Sequence, residues 1–420
     1  MPPEAYPKAV VALAGARDHY QLPLALHEKE LLHTLVTDLY FPADRKWPLF
    51  SLDSVLQREV LSARFCAGID SRKVRVSKSA LLTFGVMKTL PKLKLNRLKD
   101  KFLSRKARAI ALRNNAPLFC YSYYASDAFK KEEETPKSRF LFQLHPHPRT
   151  VRRILLDEIE RVPHAEASLR MEHELSLDRK EFDELANEPH LANGWVVAST
   201  YTARTLSDHK IPADQIHIVP YGVDSNGFPQ RSQPPDRAKR FTVCYVGSLI
   251  QRKGLSYLLE AIRILKSQNV RLLLCGRGFI DKELLEQYAD VNTEVSIGLS
   301  RRDLVCRMHE ADVFVLPSLA EGFAHVILEA MSCGVPVIAT DHTCAPDVIT
   351  DGKDGFIVPI RDSNRIAERL AWAIDHRSET IEMGEAAALQ ARRFTWERFR
   401  CGVIEAYKKM VASVQYGETQ

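Results

Sequence analysis

Residues 311–359 read ADVFVLPSLAEGFAHVILEAMSCGVPVIATDHTCAPDVITDGKDGFIVP. An apolar strand pattern at Val313–Leu316 breaks at Pro317-Ser318. A short loop then leads through Glu321-Gly322-Phe323 into a helical pattern over Phe323–Ser332. Apolar runs at Val335–Ala339 and Phe356–Val358 follow, each bounded by turn residues. Strand, loop, helix and strand in this order make a parallel α/β unit. Gly322 lets the backbone approach a ligand closely. The N–H groups of Phe323, Ala324 and His325 at the helix start form a site for an anion or a hydroxyl. Glu321 and Glu329 stand eight residues apart, about two helical turns, so both can face one ligand. A carboxylate suits vicinal hydroxyls because it accepts two hydrogen bonds at once. That spacing alone arises by chance about once in a chain of this length; the strand–loop–helix frame gives it meaning.

The same alternation extends outward in both directions. The second half adds strands near Phe241–Val246, Arg271–Cys275 and Val295–Ile297, and a helix over Leu255–Ser267. The first half offers strands near Val10–Ala14, Leu35–Tyr40, Leu118–Tyr124, Phe140–Leu144, Val196–Ser199 and His217–Pro220. Between the halves lies Ser225–Arg240, rich in Pro, Ser, Gln and Arg, which reads as a linker. A chain of 420 residues, 45% hydrophobic and 27% charged, fits two globular domains. The fold class is therefore α/β, with two doubly wound domains and a ligand site in the cleft between them. No apolar run reaches the roughly 18–20 residues of a membrane helix, and the N-terminus lacks the pattern of a secretory signal. The eight cysteines are scattered with no Cys-x-x-Cys pair, so a reducing, cytoplasmic setting without disulfides is expected. The acidic run Glu132–Glu134 reads as a solvated loop.

Residues 311–359 resemble the nucleotide-sugar-binding core of the retaining GT-B glycosyltransferases of family 4, whose signature is a Glu, seven residues and a second Glu, matched by Glu321 and Glu329. Three further segments share the resemblance. Val246-Gly247-Ser248-Leu249-Ile250-Gln251-Arg252-Lys253-Gly254 is similar to the family's strand–glycine loop ending in Arg/Lys-Lys-Gly, and it leaves a strand to open a helix. Val219-Pro220-Tyr221-Gly222-Val223-Asp224 is similar to a Pro-Asn-Gly-Val-Asp turn, with Tyr221 in place of Asn. Trp396–Tyr407 resembles the helix that crosses back onto the first domain. The resemblance implies an acceptor-binding domain over 1–224, joined by the helix at 396–414, and a nucleotide-sugar domain over 225–395.

It also implies roles. Arg252 and Lys253 hold the diphosphate of the donor, a charge-assisted contact of roughly 1.5–3 kcal/mol. The amides after Glu321 assist, Glu321 orients the donor sugar, and Glu329 holds the ribose hydroxyls. Gly247, Gly276, Gly298 and Leu299 line the donor site through their backbone. In the first half, Gly15 stands in Ala14-Gly15-Ala16-Arg17, where the family has a Gly-Gly pair. His145 follows a strand and matches a cleft histidine that contacts the sugar; its ring titrates near neutral pH. His147 makes His-x-His with His145, but no third ligand has metal spacing, and the resemblance implies a metal-independent site without a cofactor. The expected reaction is transfer of a sugar, with retention, from a nucleotide-diphosphate donor to a glycan, lipid-linked or other hydroxyl acceptor. A catalytically silent binding subunit and a sugar phosphorylase of the same fold are the alternatives.

Charge is distributed unevenly. The formal net charge is +6, yet residues 71–113 hold 14 Lys or Arg against one acid, Asp100. This arm is therefore +13, and the remainder of the chain is mildly acidic at −7. Pro91 suits a helix's first turn, and Leu95, Leu98, Phe102 and Ala109 share one helical face interrupted by Lys99 and Lys106. The arm fits a peripheral contact with anionic lipid at the inner face of the membrane or a solvated, acceptor-facing surface. No nucleic-acid recognition pattern accompanies it.

Overall fold

A computed structural model describes residues 6–41, 64–77, 96–130, 135–236, 239–266 and 269–417. The expectations for Glu132–Glu134, Pro91 and Leu95 lie outside the described residues. Two wholly parallel sheets organise the chain. The first takes β1 (Ala9–Leu13), β2 (Leu32–Thr37), β3 (Val74–Val76), β4 (Leu118–Tyr121), β5 (Arg139–Gln143), β6 (Gly194–Val197) and β7 (Ile216–Ile218) in the order β3-β2-β1-β4-β5-β6-β7. The second takes β8 (Phe241–Leu249), β9 (Val270–Ile280), β10 (Thr293–Ile297), β11 (Val313–Leu316), β12 (Val337–Thr340) and β13 (Gly355–Val358) in the order β10-β9-β8-β11-β12-β13. Both are Rossmann-like sheets covered by helices. Their central strands are continuous apolar runs because both faces are buried: every residue of β1, β4 and β11 is buried.

Strand order fixes where ligands can sit. In the first sheet the order reverses between β1 and β4, and in the second between β8 and β11. Crevices open at those points, outside the carboxyl ends of the strands. They are bordered by the turn after Leu13 and Tyr121 in the first domain, and by the loops after Leu249 and Leu316 in the second.

Several sequence boundaries move. β2 covers Leu32–Thr37 rather than Leu35–Tyr40, since Asp38 leaves the ladder to pair with Arg64 and Lys99. β8 and β9 run past their expected ends and stay paired as far as Leu249 and Ile280, so Gly247 and Gly276 lie within strands. The helix after β11 begins at His325, with Ala324 in the left-handed region at φ 72°. The helix Trp396–Gly417 crosses back and packs on Gln21–Glu28 of the first domain. Arg400 donates to Glu28 at 3.0 Å and to Gln21 at 2.8 Å, and the Tyr407 hydroxyl donates to the Pro7 carbonyl.

The basic arm is built differently from its sequence pattern. It contributes β3 to the sheet edge, and its helix Asn96–Arg113 lies on the first sheet through fully buried Leu103, Ser104, Ala107 and Ala111. Leu98 and Ala109, expected on the apolar face, are exposed instead. Small residues allow the helix to approach the sheet closely, and a stripe of Ala and Ser has too little hydropathy to be read as a buried face. All eight cysteines are free. Among the described residues no helix is long and apolar enough to cross a membrane.

Candidate active site

The second-domain crevice is assembled from two loops that lock together. After β8 the chain makes a 3-10 turn, Gln251–Lys253, and closes on Gly254 at φ 71°. A Cβ at Gly254 would stand 1.9 Å from the Pro317 carbonyl oxygen, so only glycine fits. The Leu319 amide donates to the Arg252 carbonyl at 2.9 Å and completes the clamp. Arg252 and Lys253 are thereby aimed at Glu321. Arg252 Nη1 donates to Glu321 Oε1 at 2.9 Å, and Lys253 Nζ lies 2.5 Å from the same oxygen. Arg252 Nε lies 2.9 Å from Glu172 Oε2, a carboxylate of the first domain.

These charges are sequestered from solvent, and their titration reflects it. Burial works to raise the Glu321 carboxyl, but Lys253 and Arg252 overcome it and hold the group down at about 2. Burial also lowers Lys253, while Glu321 supports its charged form. Burial acts to lower Arg252, yet Glu321 and Glu172 raise it above its ordinary value. The result is a fixed cluster of two cations and two carboxylates at the mouth of the cleft.

The first domain meets this cluster at His145, directly after β5. A Cβ on Gly322 would fall 1.7 Å from the Leu144 carbonyl oxygen and 3.2 Å from His145 Cα. The glycine therefore also serves the approach of the two domains. Ser199 and Thr202 hydroxyls donate to the Gly322 carbonyl at 2.6 and 3.2 Å and pin the contact. The His145 ring packs edge-on to Tyr123, centroids 4.9 Å apart. Burial, reinforced by the positive charges of Arg17 and Arg252, lowers its pKa to about 3. His145 is thus a neutral ring beside the cluster rather than a cation.

Glu321, Arg252, Lys253, Gly322 and His145 converge, and Glu329 lies near Arg301. Burial raises the Glu329 carboxyl to about 7, and Arg301 is the charge that counters it. Arg301 follows Gly298 and Leu299, and the Gly298 amide donates to the Gly276 carbonyl at 3.1 Å, which ties the end of β10 to the middle of β9. Gly298 has φ 68° and open space where a Cβ would be. Gly247 packs beside the Tyr245 hydroxyl. The amides of Phe323, Ala324 and His325 have no hydrogen-bond partner among the described residues.

Tyr221, the departure from the expected turn, stacks on His325 at 4.6 Å and on Phe142 at 5.7 Å, with Phe323, Trp396 and Phe399 around it. An Asn could not fill this aromatic junction of both domains and the returning helix. His325 is buried there, which lowers its pKa to about 4. His147 is structural: its Nδ1 accepts from the Arg149 amide at 3.2 Å at a helix start, and its ring stacks on His209 at 3.8 Å.

Gly15, at φ 84°, donates its amide to Asp38 at 3.0 Å. Asp18, His19 and Tyr20 follow with φ of 43°, 49° and 63°. Three consecutive side-chain-bearing residues in that region are strained. A cavity of about 1060 Å³ opens from Gly15 and His145 toward Arg17, Lys99, Lys101 and Tyr123. Cations of the basic arm therefore face the cleft as well as solvent. Sequence reasoning missed Glu172, Tyr123, Arg301 and Ser199, which no local motif marks. Among the described residues, no group of three or more His, Cys, Asp or Glu could hold a metal.

Two Rossmann-like domains facing across a cleft, with a terminal helix returning to the first, constitute the GT-B architecture. Residues 228–390 match the family described as Glycosyl transferases group 1. The chain is 28% identical over 225 residues to the MMP alpha-(1->4)-mannosyltransferase of Mycolicibacterium hassiacum, covering 52% of this chain and 54% of that one. It is 30% identical over 225 residues to the D-inositol 3-phosphate glycosyltransferase of an Arthrobacter species, covering 50% and 53%. The chain thus spans about half the length of the curated relatives it matches. Among solved structures, sucrose-phosphate synthase from Thermosynechococcus elongatus aligns over 97% of this chain and 100% of its own, with TM-score 0.66 and 18% identity. Anabaena HepE in complex with UDP aligns over 97% and 100%, with TM-score 0.58 and 15% identity. These likenesses concern the fold.

Proposed function

We propose that the protein is a retaining glycosyltransferase that moves a sugar from a nucleotide-diphosphate donor to a hydroxyl of a glycan or lipid-linked acceptor. The observation that supports this most is the half-buried Arg252–Lys253–Glu321 cluster at the second-domain switch point, close enough to His145 of the first domain to shift its titration. The barrier to transfer lies in breaking the bond between the anomeric carbon and the diphosphate oxygen, whose electron pair passes to the phosphate. Fixed cations at that oxygen stabilise the charge as it develops. Lys253 and Arg252 supply them, and the amides of Phe323–His325 add donors.

Glu321 is held ionised and orients the donor sugar while accepting from its hydroxyls. Glu329 accepts from the ribose hydroxyls. Neutral His145 contacts the sugar as a hydrogen-bonding group. The acceptor oxygen bonds to the anomeric carbon on the face the leaving group vacates, and its proton goes to the departing phosphate. No residue is assigned as a covalent nucleophile, and no metal takes part in this reading. The relatives' names support sugar transfer, and the UDP and UDP-glucose held by HepE support a nucleoside-diphosphate donor.

The test is a thermal-shift screen of UDP-, GDP- and ADP-sugars, followed by turnover with the donor that binds. A ligand at 100 times its dissociation constant adds about 2.7 kcal/mol of stability; absence of stabilisation by every donor would overturn the reading. Exposed Arg72, Arg75, Arg105 and Arg113 of the basic arm also support an electrostatic contact with an anionic bilayer. The helix spends its apolar side on the sheet, so this contact should vanish at high salt in liposome sedimentation.

A further inference from the structure

The loop bearing Arg252 and Lys253 is held from behind by a carboxylate of the opposite domain. Glu158 lies on the first-domain helix Pro148–Arg161 and is fully buried. Its Oε1 accepts from Gln251 Nε2 at 2.7 Å and from the Tyr257 hydroxyl at 2.7 Å. Its Oε2 accepts from Arg361 Nε at 2.7 Å, and Arg361 Nη2 donates to the Ile154 carbonyl on the same helix at 2.8 Å. All three side-chain partners of Glu158 belong to the second domain. Arg361 reaches it from a left-handed backbone position, φ 64°.

Gln251 is the residue immediately before the two cations, and it is fully buried. Its amide group is committed on every side. Nε2 donates to Glu158 and to Ser256 Oγ at 2.6 Å, and Oε1 accepts from the Ser256 amide at 3.1 Å. The turn Gln251–Gly254 is therefore anchored within its own domain by Pro317 and Leu319, and across the interface by Glu158. A buried carboxylate with three donors, one of them a guanidinium, is expensive to separate, because each group would be left unpaired. Such a contact has two states, seated or open, rather than a graded range.

We infer that Glu158 is an interdomain positioning residue: through Gln251 it sets the turn that presents Arg252 and Lys253, so the diphosphate site is complete only when the first domain is seated on the second. The inference rests on the diphosphate reading of that site. Glu158 acts through Gln251 and touches no substrate. Loss of its charge should weaken contacts to the outer phosphate while leaving contacts to the nucleoside and inner phosphate intact.

The experiment compares nucleoside diphosphates with monophosphates (UDP, GDP and ADP against UMP, GMP and AMP) by calorimetry on the full chain. The wild type should prefer one diphosphate over its monophosphate. In Glu158→Gln the diphosphate affinity should fall roughly tenfold, the effect of losing a charged hydrogen bond, with the monophosphate unchanged. Arg361→Lys, which keeps the charge, should stay near wild type, and Arg361→Gln should resemble Glu158→Gln. If Glu158→Gln fails to fold, Tyr257→Phe removes one of the three donors and should lower only the diphosphate affinity, by roughly two- to threefold. A wild type without diphosphate preference overturns the reading of the site itself. A wild type with the preference, and a Glu158→Gln that keeps it or loses both ligands in equal proportion, overturns the positioning role alone.

Discussion

The two switch points of this molecule solve the same problem in opposite ways. In the second domain the charged groups of the crevice come from two short segments, Gln251–Gly254 and Pro317–Phe323, and face each other because β8 and β11 are neighbours. In the first domain the crevice is a mosaic: Gly15 after β1, Tyr123 after β4, His145 after β5 and Glu172 from a loop between short helices. The second domain supplies charge held in two adjoining loops, and the first supplies rings, strained turns, the Glu172 carboxylate and a cavity lined by Arg17, Lys99 and Lys101. Chemistry that depends on fixed cations can be written into one local motif. Groups scattered over several loops leave no such motif.

Breaking the charged half should have the largest effect. Lys253→Ala removes the cation 2.5 Å from Glu321, and transfer with the donor found by screening should fall roughly 100-fold, as when a donor at a developing oxyanion is lost. A rate within twofold of wild type would show that the second-domain cluster is structural. The joint between the halves comes next. Gly322→Ala places a methyl group against the Leu144 carbonyl, so unfolding free energy should drop by about 1–3 kcal/mol, with loss of turnover. Unchanged denaturation would mean that the domains do not meet at this point.

A gain is expected where the first domain competes for the second domain's cation. Glu172 holds Arg252 Nε at 2.9 Å, so a diphosphate must share that guanidinium. Glu172→Gln should tighten nucleoside diphosphate binding by roughly threefold in calorimetry, a surface-like ion-pair effect of under 1 kcal/mol. Weaker binding would place Glu172 on the side of ligand recognition instead.

The last effect is a slope with pH. Glu329 has its folded pKa raised to about 7 from an unfolded value near 4.5, so its contribution to stability is full below pH 4.5 and lost as pH rises through 7. Glu329→Gln should therefore gain stability relative to wild type between pH 5 and pH 8. Nucleotide affinity of the wild type should rise over the same interval as the carboxylate forms, while the variant stays flat. His145 and His325, with pKa values of about 3 and 4, should add no inflection near neutrality.

How far the sequence could be read tracks the same contrast. Val313–Leu316, Glu321, Arg252 and Lys253 were legible because strand pattern, loop and charge occur within a few residues of one another. Tyr221 was visible as a departure but had no meaning until Phe142, His325 and Phe399 surrounded it. The basic arm misled: its charge was plain, but its buried face is Leu103, Ser104, Ala107 and Ala111 while Leu98 is exposed, and its strand Val74–Val76 is too short to announce itself. Gly322 reads from its loop as a close-approach glycine, and the structure adds the Leu144 carbonyl to what approaches it.

The sequence by itself determined the α/β alternation, the two-domain organisation and the charged loops of the second domain, because apolar period, glycine placement and local charge are properties of contiguous residues. Tertiary structure alone decided that Glu158 reaches Gln251, that Glu172 reaches Arg252, and that Asp347 accepts from the Thr200 amide at 3.1 Å across the interface. Those pairs are separated by 80 or more positions in the chain. Their energy comes from burial and exact distance, and neither exists until both sheets are in place.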